Sequence, residues 1–264
     1  MISPSMLFTR QQVAELTGAS DDVLSFWIKN DLILPTSGGS GKGSHRKFDL
    51  FQVNIAAVLL ELRKFGVNIG TMRSLARMLQ DGVTLGRSAE CNHRAIYDAL
   101  NLFDLLERYR SGREVHVYVD TWGDDAGTNA GYPKAQLATS EQDILDHTRR
   151  DQGNLHDTYE NVAAFAARIT TATRLPLQLF FDLNQLAYRY VWSGNESEWG
   201  DAEWLIVPME NGELDIIVDG EQEGFLGKNE RKIKSGLFLL PAAIFRSVWG
   251  ETLKASIHWP FSLT

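Results

Sequence analysis

The chain has 264 residues, 44% of them apolar and 23% charged, which is the balance of a globular protein of one or two domains. Its longest run without a polar side chain, Gly236 to Phe245, is too short to cross a bilayer, and no secretory signal pattern opens the sequence. The single cysteine, Cys91, forms neither an internal disulfide nor a paired-thiolate metal site, so a reducing, cytoplasmic setting is expected.

The net charge of −8 is unevenly spread. Residues 1–80 carry nine Lys/Arg against six Asp/Glu, and the remainder carries 17 against 28. A small basic module joined to a larger acidic one follows, and the acidic total is a poor guide to partners.

In chain order, Thr9 with Gln12 forms a capping box that opens a helix through Val13, Ala14 and Leu16, and Thr17-Gly18-Ala19 ends it. Ser20 caps a second helix with Asp21 and Asp22 in its first turn. Of its aromatic pair Phe26-Trp27, Trp27 is expected in the core. Two short helices joined by a Gly-containing turn are a helix-turn-helix. Leu32 to Pro35, the Gly-rich Thr36 to Ser44 and then Arg46-Lys47-Phe48 read as a short hairpin with a mobile tip. Asp49 caps a helix over 50–65 with an apolar side at Val53, Ala56, Ala57 and Leu60, stopped by Gly66. Another helix is expected over 69–79.

These residues resemble the MerR-type winged-helix transcription regulators. The resemblance is carried by Phe8-Thr9, Val13-Ala14-x-Leu16-Thr17-Gly18, Leu24-x-x-Trp27, Leu32-Ile33-x-Pro35, Arg46-Lys47-Phe48 before Asp49, and Leu62-Arg63-x-x-Gly66-Val67 ahead of Met72-Arg73. It covers residues 6–80 and implies a DNA-binding domain that engages double-stranded DNA as a homodimer, distorts promoter DNA and acts on RNA polymerase. DNA contacts are expected from Thr9, Ser20, Asp21, Asp22, Ser25, Lys42, Arg46, Lys47 and Phe48. Two departures stand out: Ser25 takes the place of an arginine, and Asp31 that of a glycine.

Residues 92–110 form a helix with apolar positions on more than one stripe. The resemblance implies a dimerisation helix within 87–111, with its seam at Ile96, Leu100, Phe103 and Leu106; an internal core helix is the competing reading. From Val115 the period changes to two, giving a strand, followed by a Gly/Asp-rich loop over 121–131. A capping box at Thr139 and Gln142, helices over 155–171 and 177–192, and strands at 204–209, 214–218, 237–240, 245–249 and 253–259 complete the reading. The expected fold class is therefore α+β: an N-terminal winged helix-turn-helix, a dimerisation helix and an α+β domain over 112–264.

Tyr190, Trp204, Trp249 and Trp259 are candidates for a small-molecule effector pocket, with filling of the core as the alternative. The stretch Gly38 to Ser44 lacks the first Gly and the final Ser/Thr of a phosphate-binding loop. Cys91 with His93 is a poor soft-metal site, and Asp120, Asp124 and Asp125 lack the spacing of a calcium loop. His147 and His156 do not share a helix face, and no GxSxG or HExxH pattern occurs, so no enzyme, cofactor or metal is expected. The competing function is a DNA-tethering adaptor whose acidic C-terminal domain recruits proteins without a small-molecule signal.

Overall fold

The computed structural model describes residues 6–38, 46–88, 93–119, 134–151, 159–192, 202–208, 214–218 and 236–256. The fold mixes helices with small antiparallel sheets, and the chain forms two compact units. Unit 1 joins residues 1–85 with 175–264, and unit 2 is 86–174. Among the described residues no helix is long and apolar enough to cross a membrane.

Unit 1 begins with β1 (Leu7–Thr9) and α1 (Arg10–Thr17). The Thr9–Gln12 box closes in both directions: the Gln12 amide donates to Thr9 Oγ1 at 3.2 Å and the Thr9 amide donates to Gln12 Oε1 at 2.8 Å. Gly18, at φ 78°, turns the chain into α2 (Asp21–Lys29), capped by Ser20. After α2 the chain passes through Asp31 to β2 (Lys47–Asp49), which pairs with β1 through Phe8 and Phe48. The hairpin expected between 36 and 47 reduces to one bridge, Ser37 with Lys47, and its tip falls outside the described residues. The principal partner of β2 is instead β1, a three-residue strand with too short a pattern to register in sequence.

Asp49 accepts from the Gln52 amide and caps α3 (Leu50–Lys64). This helix is not half-buried on one stripe as expected. Phe51, Val53, Ile55, Ala56, Val58 and Leu59 are all buried, so it is enclosed on nearly every side of its first ten residues. Its covers are α1 and α9 (Pro241–Ser256), a helix from the far end of the chain. The core around α3 thus draws on residues from both stretches of unit 1, 1–85 and 175–264.

The helix α4 (Ile69–Ser88) runs nine residues past its expected end, and α8 (Thr171–Trp192) starts earlier than expected, with Pro176 inside it. Gly82 of α4 lets the two helices touch. A Cβ there would collide with the Pro176 carbonyl oxygen and lie 2.9 Å from Phe180 Cβ. A three-stranded sheet, in the order β6 (Leu214–Ile217), β5 (Trp204–Pro208), β7 (Leu237–Leu239), completes unit 1. The strands expected at 245–249 and 253–259 are not found. Residues 241–256 are helical, with Pro241 at the first position where its missing N–H costs nothing, and 257–259 lie outside the described residues.

Buried polar groups in unit 1 are joined in a chain. Trp249 Nε1 donates to Asn54 Oδ1, Asn54 Nδ2 to Asn184 Oδ1 at 2.8 Å, and Asn184 Nδ2 to the Phe180 carbonyl at 2.8 Å. Gln52 and Gln80 exchange amide bonds at 2.7 and 2.8 Å, and Gln52 Oε1 also accepts from the Leu34 amide. These pairings fix α3 against α4, α8 and α9 where an apolar contact alone would permit sliding.

Unit 2 contains α5 (His93–Arg110), the hairpin of β3 (His116–Val119) with β4 (Lys134–Leu137), α6 (Glu141–Asp151) and α7 (Tyr159–Ala166). The cap of α6 is Ser140 rather than Thr139: the Asp143 amide donates to Ser140 Oγ, and Asp143 Oδ2 accepts from the amides of Thr139 and Ser140 and from Thr139 Oγ1. Those donors hold the Asp143 carboxyl below its ordinary range. Arg110 grips Glu141 through two bonds, 2.9 and 3.1 Å, and Arg174 grips Asp104 at 3.0 and 2.7 Å.

Candidate nucleic-acid interface

The first two helices are set by local chemistry. Oxygen caps at Thr9 and Ser20 start them, and between them the chain reverses at Gly18. Ile28, Leu24 and Trp27 point α2 into the core, with Trp27 completely buried, as expected. The opposite face of α2, spaced i, i+4, i+8 at Asp21, Ser25 and Lys29, is left for the surface.

That face lines an open groove of about 1340 Å³ together with Thr9, Arg10, Gln11 and the chain around Arg46 and Lys47. Five sequence candidates, Thr9, Asp21, Ser25, Arg46 and Lys47, thus meet on one concave surface. Its charged lining is Arg10, Lys29, Arg46 and Lys47 against Asp21 and Asp31, a cationic excess of two. Arg46 is exposed and Lys47 half-buried.

Other candidates are placed differently. Phe48 forms part of the floor and is fully buried, so it is a core residue and not a DNA contact; its ring belongs to the inward face of the β1–β2 pair. Ser20 and Asp22 are exposed at the start of α2 but do not line the groove, and Lys42 lies outside the described residues. Arg10 and Lys29 were not singled out from sequence. Arg10 is the more consequential omission: its Nε pairs with Asp21 Oδ1 at 2.8 Å and its Nη1 donates to Ser25 Oγ at 3.0 Å. Nothing local to position 10 signals this, because its partners are 11 and 15 residues further along.

The candidate effector pocket is corrected at both residues that the structure describes. Trp204 and Trp249 are buried, and each indole N–H is already bonded, to Asp182 Oδ2 at 2.9 Å and to Asn54 Oδ1 at 2.7 Å. They fill the core. Tyr190 sits on α8 without a described side chain, and Trp259 lies outside the described residues.

The seam on α5 is corrected in part. Ile96 and Leu100 are buried within unit 2, where α5 packs on α6 and α7, and only Phe103 and Leu106 keep partial exposure. A separate concavity of about 410 Å³ in unit 2 is lined by Asp98, Asn101, Asp104, Arg108 and His147 among others. Of the remaining sequence features, Cys91, Asp120, Asp124, Asp125 and His156 lie outside the described residues.

No protein-family model matches the chain, and no curated protein matches it.

Proposed function

We propose that the protein is a sequence-specific, DNA-binding transcription regulator, with the groove between α1, α2 and Arg46-Lys47 as its DNA-facing surface. One observation carries the reading: Thr9, Asp21, Ser25, Arg46 and Lys47, picked out by the MerR-type resemblance, lie on a single concave surface with a cationic excess in a chain whose overall charge is −8. Basic groups concentrated on one face of an acidic protein are the electrostatic footprint of a polyanion partner. Phosphates would meet Arg46 and Lys47 while the α2 face approaches base edges in the major groove.

By the same resemblance the protein would act as a homodimer on a two-fold operator, deform the DNA between half-sites and so change how RNA polymerase meets a promoter. A second copy can reach Phe103 and Leu106 of α5 but not Ile96 and Leu100. A small-molecule effector, if the regulator uses one, has to be received away from Trp204 and Trp249.

The test is fluorescence anisotropy of the full chain on a mixed-sequence duplex pool, across a salt series, beside Arg46→Ala. Wild type should bind with affinity falling as salt rises, and the variant should lose about one unit of that slope on every sequence. Absence of duplex binding at low salt would overturn the reading.

A further inference from the structure

Arg10 is the first residue of α1, and its guanidinium is anchored twice from the neighbouring helix, by Asp21 Oδ1 and by Ser25 Oγ. An arginine engaged in this way would ordinarily be read as a surface clasp between helices. The exposure argues otherwise: the Arg10 and Asp21 side chains remain 49% and 59% accessible, and ion pairs so open to water add little stability. What the two anchors do achieve is orientation. They remove the freedom of a long side chain before any ligand arrives, and pre-organised donors lose less entropy on binding. Nε and Nη1 are engaged, whereas Nη2 has no partner among the described residues. The side chain lines the same groove as Lys29, Arg46 and Lys47.

We infer that Arg10 is a pre-oriented donor of this groove, which presents Nη2 to an acceptor of bound duplex DNA, either a phosphate oxygen or the N7/O6 edge of guanine. Asp21 and Ser25 are then positioning residues: they hold the guanidinium instead of touching the nucleic acid themselves. This inference rests on the DNA-binding reading and deepens it. It also accounts for the polar but uncharged Ser25 in the middle of the exposed face of α2, since its hydroxyl is the acceptor that aims a cation supplied by α1. Charge alone is a weaker account, because Arg10 is close enough to Asp21 for the two charges largely to cancel at a distance. Geometry is what survives the cancellation.

The experiment uses the full chain on mixed-sequence and single-base-varied duplexes, with Arg46→Ala as the reference variant and a melting midpoint recorded for each protein. Arg10→Ala should weaken binding about tenfold, the scale of one lost directional contact. Arg10→Lys, which keeps the charge but cannot be held by both anchors, should recover only part of that loss. Ser25→Ala should weaken binding about two- to threefold with the melting midpoint unchanged, a small share of a contact of this kind. The decisive arm is Arg10→Ala combined with Asp21→Asn. If Arg10 merely masks the Asp21 charge, the double variant regains wild-type affinity and the inference is overturned; if Arg10 contacts DNA, the double variant stays weak.

Loss on all duplexes assigns the acceptor to phosphate, and loss confined to guanine-bearing positions assigns it to the base edge. Should Arg10→Ala fail to fold, Arg10→Lys and Ser25→Ala decide, and wild-type binding by both rejects the inference. Wild-type binding by the Arg10 variants while Arg46→Ala is impaired rejects the role of Arg10 alone, whereas a wild-type protein that binds no duplex removes the DNA reading itself.

Discussion

Trp249 donates its indole N–H to Asn54 Oδ1 at 2.7 Å, although the two residues are 195 positions apart in the chain. Asn54 is 1% exposed and passes the connection on to Asn184, so its side chain satisfies two partners in a dry environment. Asn54→Ala should therefore cost about 2–4 kcal/mol, because it strands the Trp249 donor and the Asn184 acceptor at once. Urea unfolding of Asn54→Ala, Trp249→Phe and the double variant checks this: the two losses should be clearly less than additive. Strict additivity would mean that the bond contributes nothing of its own.

The same substitution should have opposite signs at two helical glycines. Gly82→Ala forces α4 away from the Pro176 carbonyl and Phe180, a backbone collision that cannot relax by a rotamer change, and should destabilise by about 2 kcal/mol or more. Gly250 of α9 has open space where a Cβ would go, so Gly250→Ala should stabilise by roughly 0.5–1 kcal/mol through helix propensity. Thermal melting of the two variants beside wild type is sufficient to read the sign.

Asp31 holds φ at 57°, in the left-handed region, while the Leu32 amide closes onto the Trp27 carbonyl at 2.9 Å behind α2. Glycine adopts that conformation without a Cβ penalty. Asp31→Gly should raise stability by about 0.5–1 kcal/mol, the penalty an L side chain bears there net of the entropy that glycine adds to the unfolded chain. An unchanged or lower melting midpoint would show that the carboxylate has a compensating role.

The Asp143 carboxyl is held below its ordinary value first by the Thr139 amide and hydroxyl, then by Ser140. A depressed native pKa means that the contribution is complete above the unfolded value near 3.8 and is lost as pH falls through the lower native value. Asp143→Asn should accordingly melt below wild type at neutral pH, and the gap should close as pH drops through that window. A gap independent of pH would exclude the charge as its cause.

Leu100 is 1% exposed inside unit 2. Leu100→Ala should destabilise by about 2–5 kcal/mol with a melting midpoint insensitive to protein concentration. A midpoint that rises with concentration, together with a reduced mass in light scattering, would return this residue to an interface between copies.

The parts of the fold legible in sequence are those governed by neighbours in sequence. Thr9 with Gln12, Ser20, and Asp49 ahead of Gln52 each announce a helix within four residues, and all three caps are present. The errors arise where partners are remote or where two periods coincide. Phe245 and Trp249 are spaced for one helical face, but with Ser247 between them they also fit strand alternation; Pro241, well placed to start a helix, was the available signal. The helix expected from 177 begins at Thr171 and continues through Pro176, and the close approach of α4 there rests on Gly82, a partner far away in sequence. The groove was legible as a set of basic and cap residues around α2, but Arg10 was not, because its placement depends on side chains in the first two turns of a different helix.

The make-up of unit 1 sets an order on synthesis. Residues 50–59 emerge from the ribosome with apolar surface on nearly every side, yet the helix that covers one flank, 241–256, follows roughly ten seconds or more later at about 5–20 residues per second. Unit 2, continuous in sequence, is complete before then. A nascent chain stalled or truncated before 241 thus presents an unfinished, sticky unit 1 while unit 2 is already complete, so holdase chaperones and proteases would encounter this protein chiefly through its first eighty-five residues.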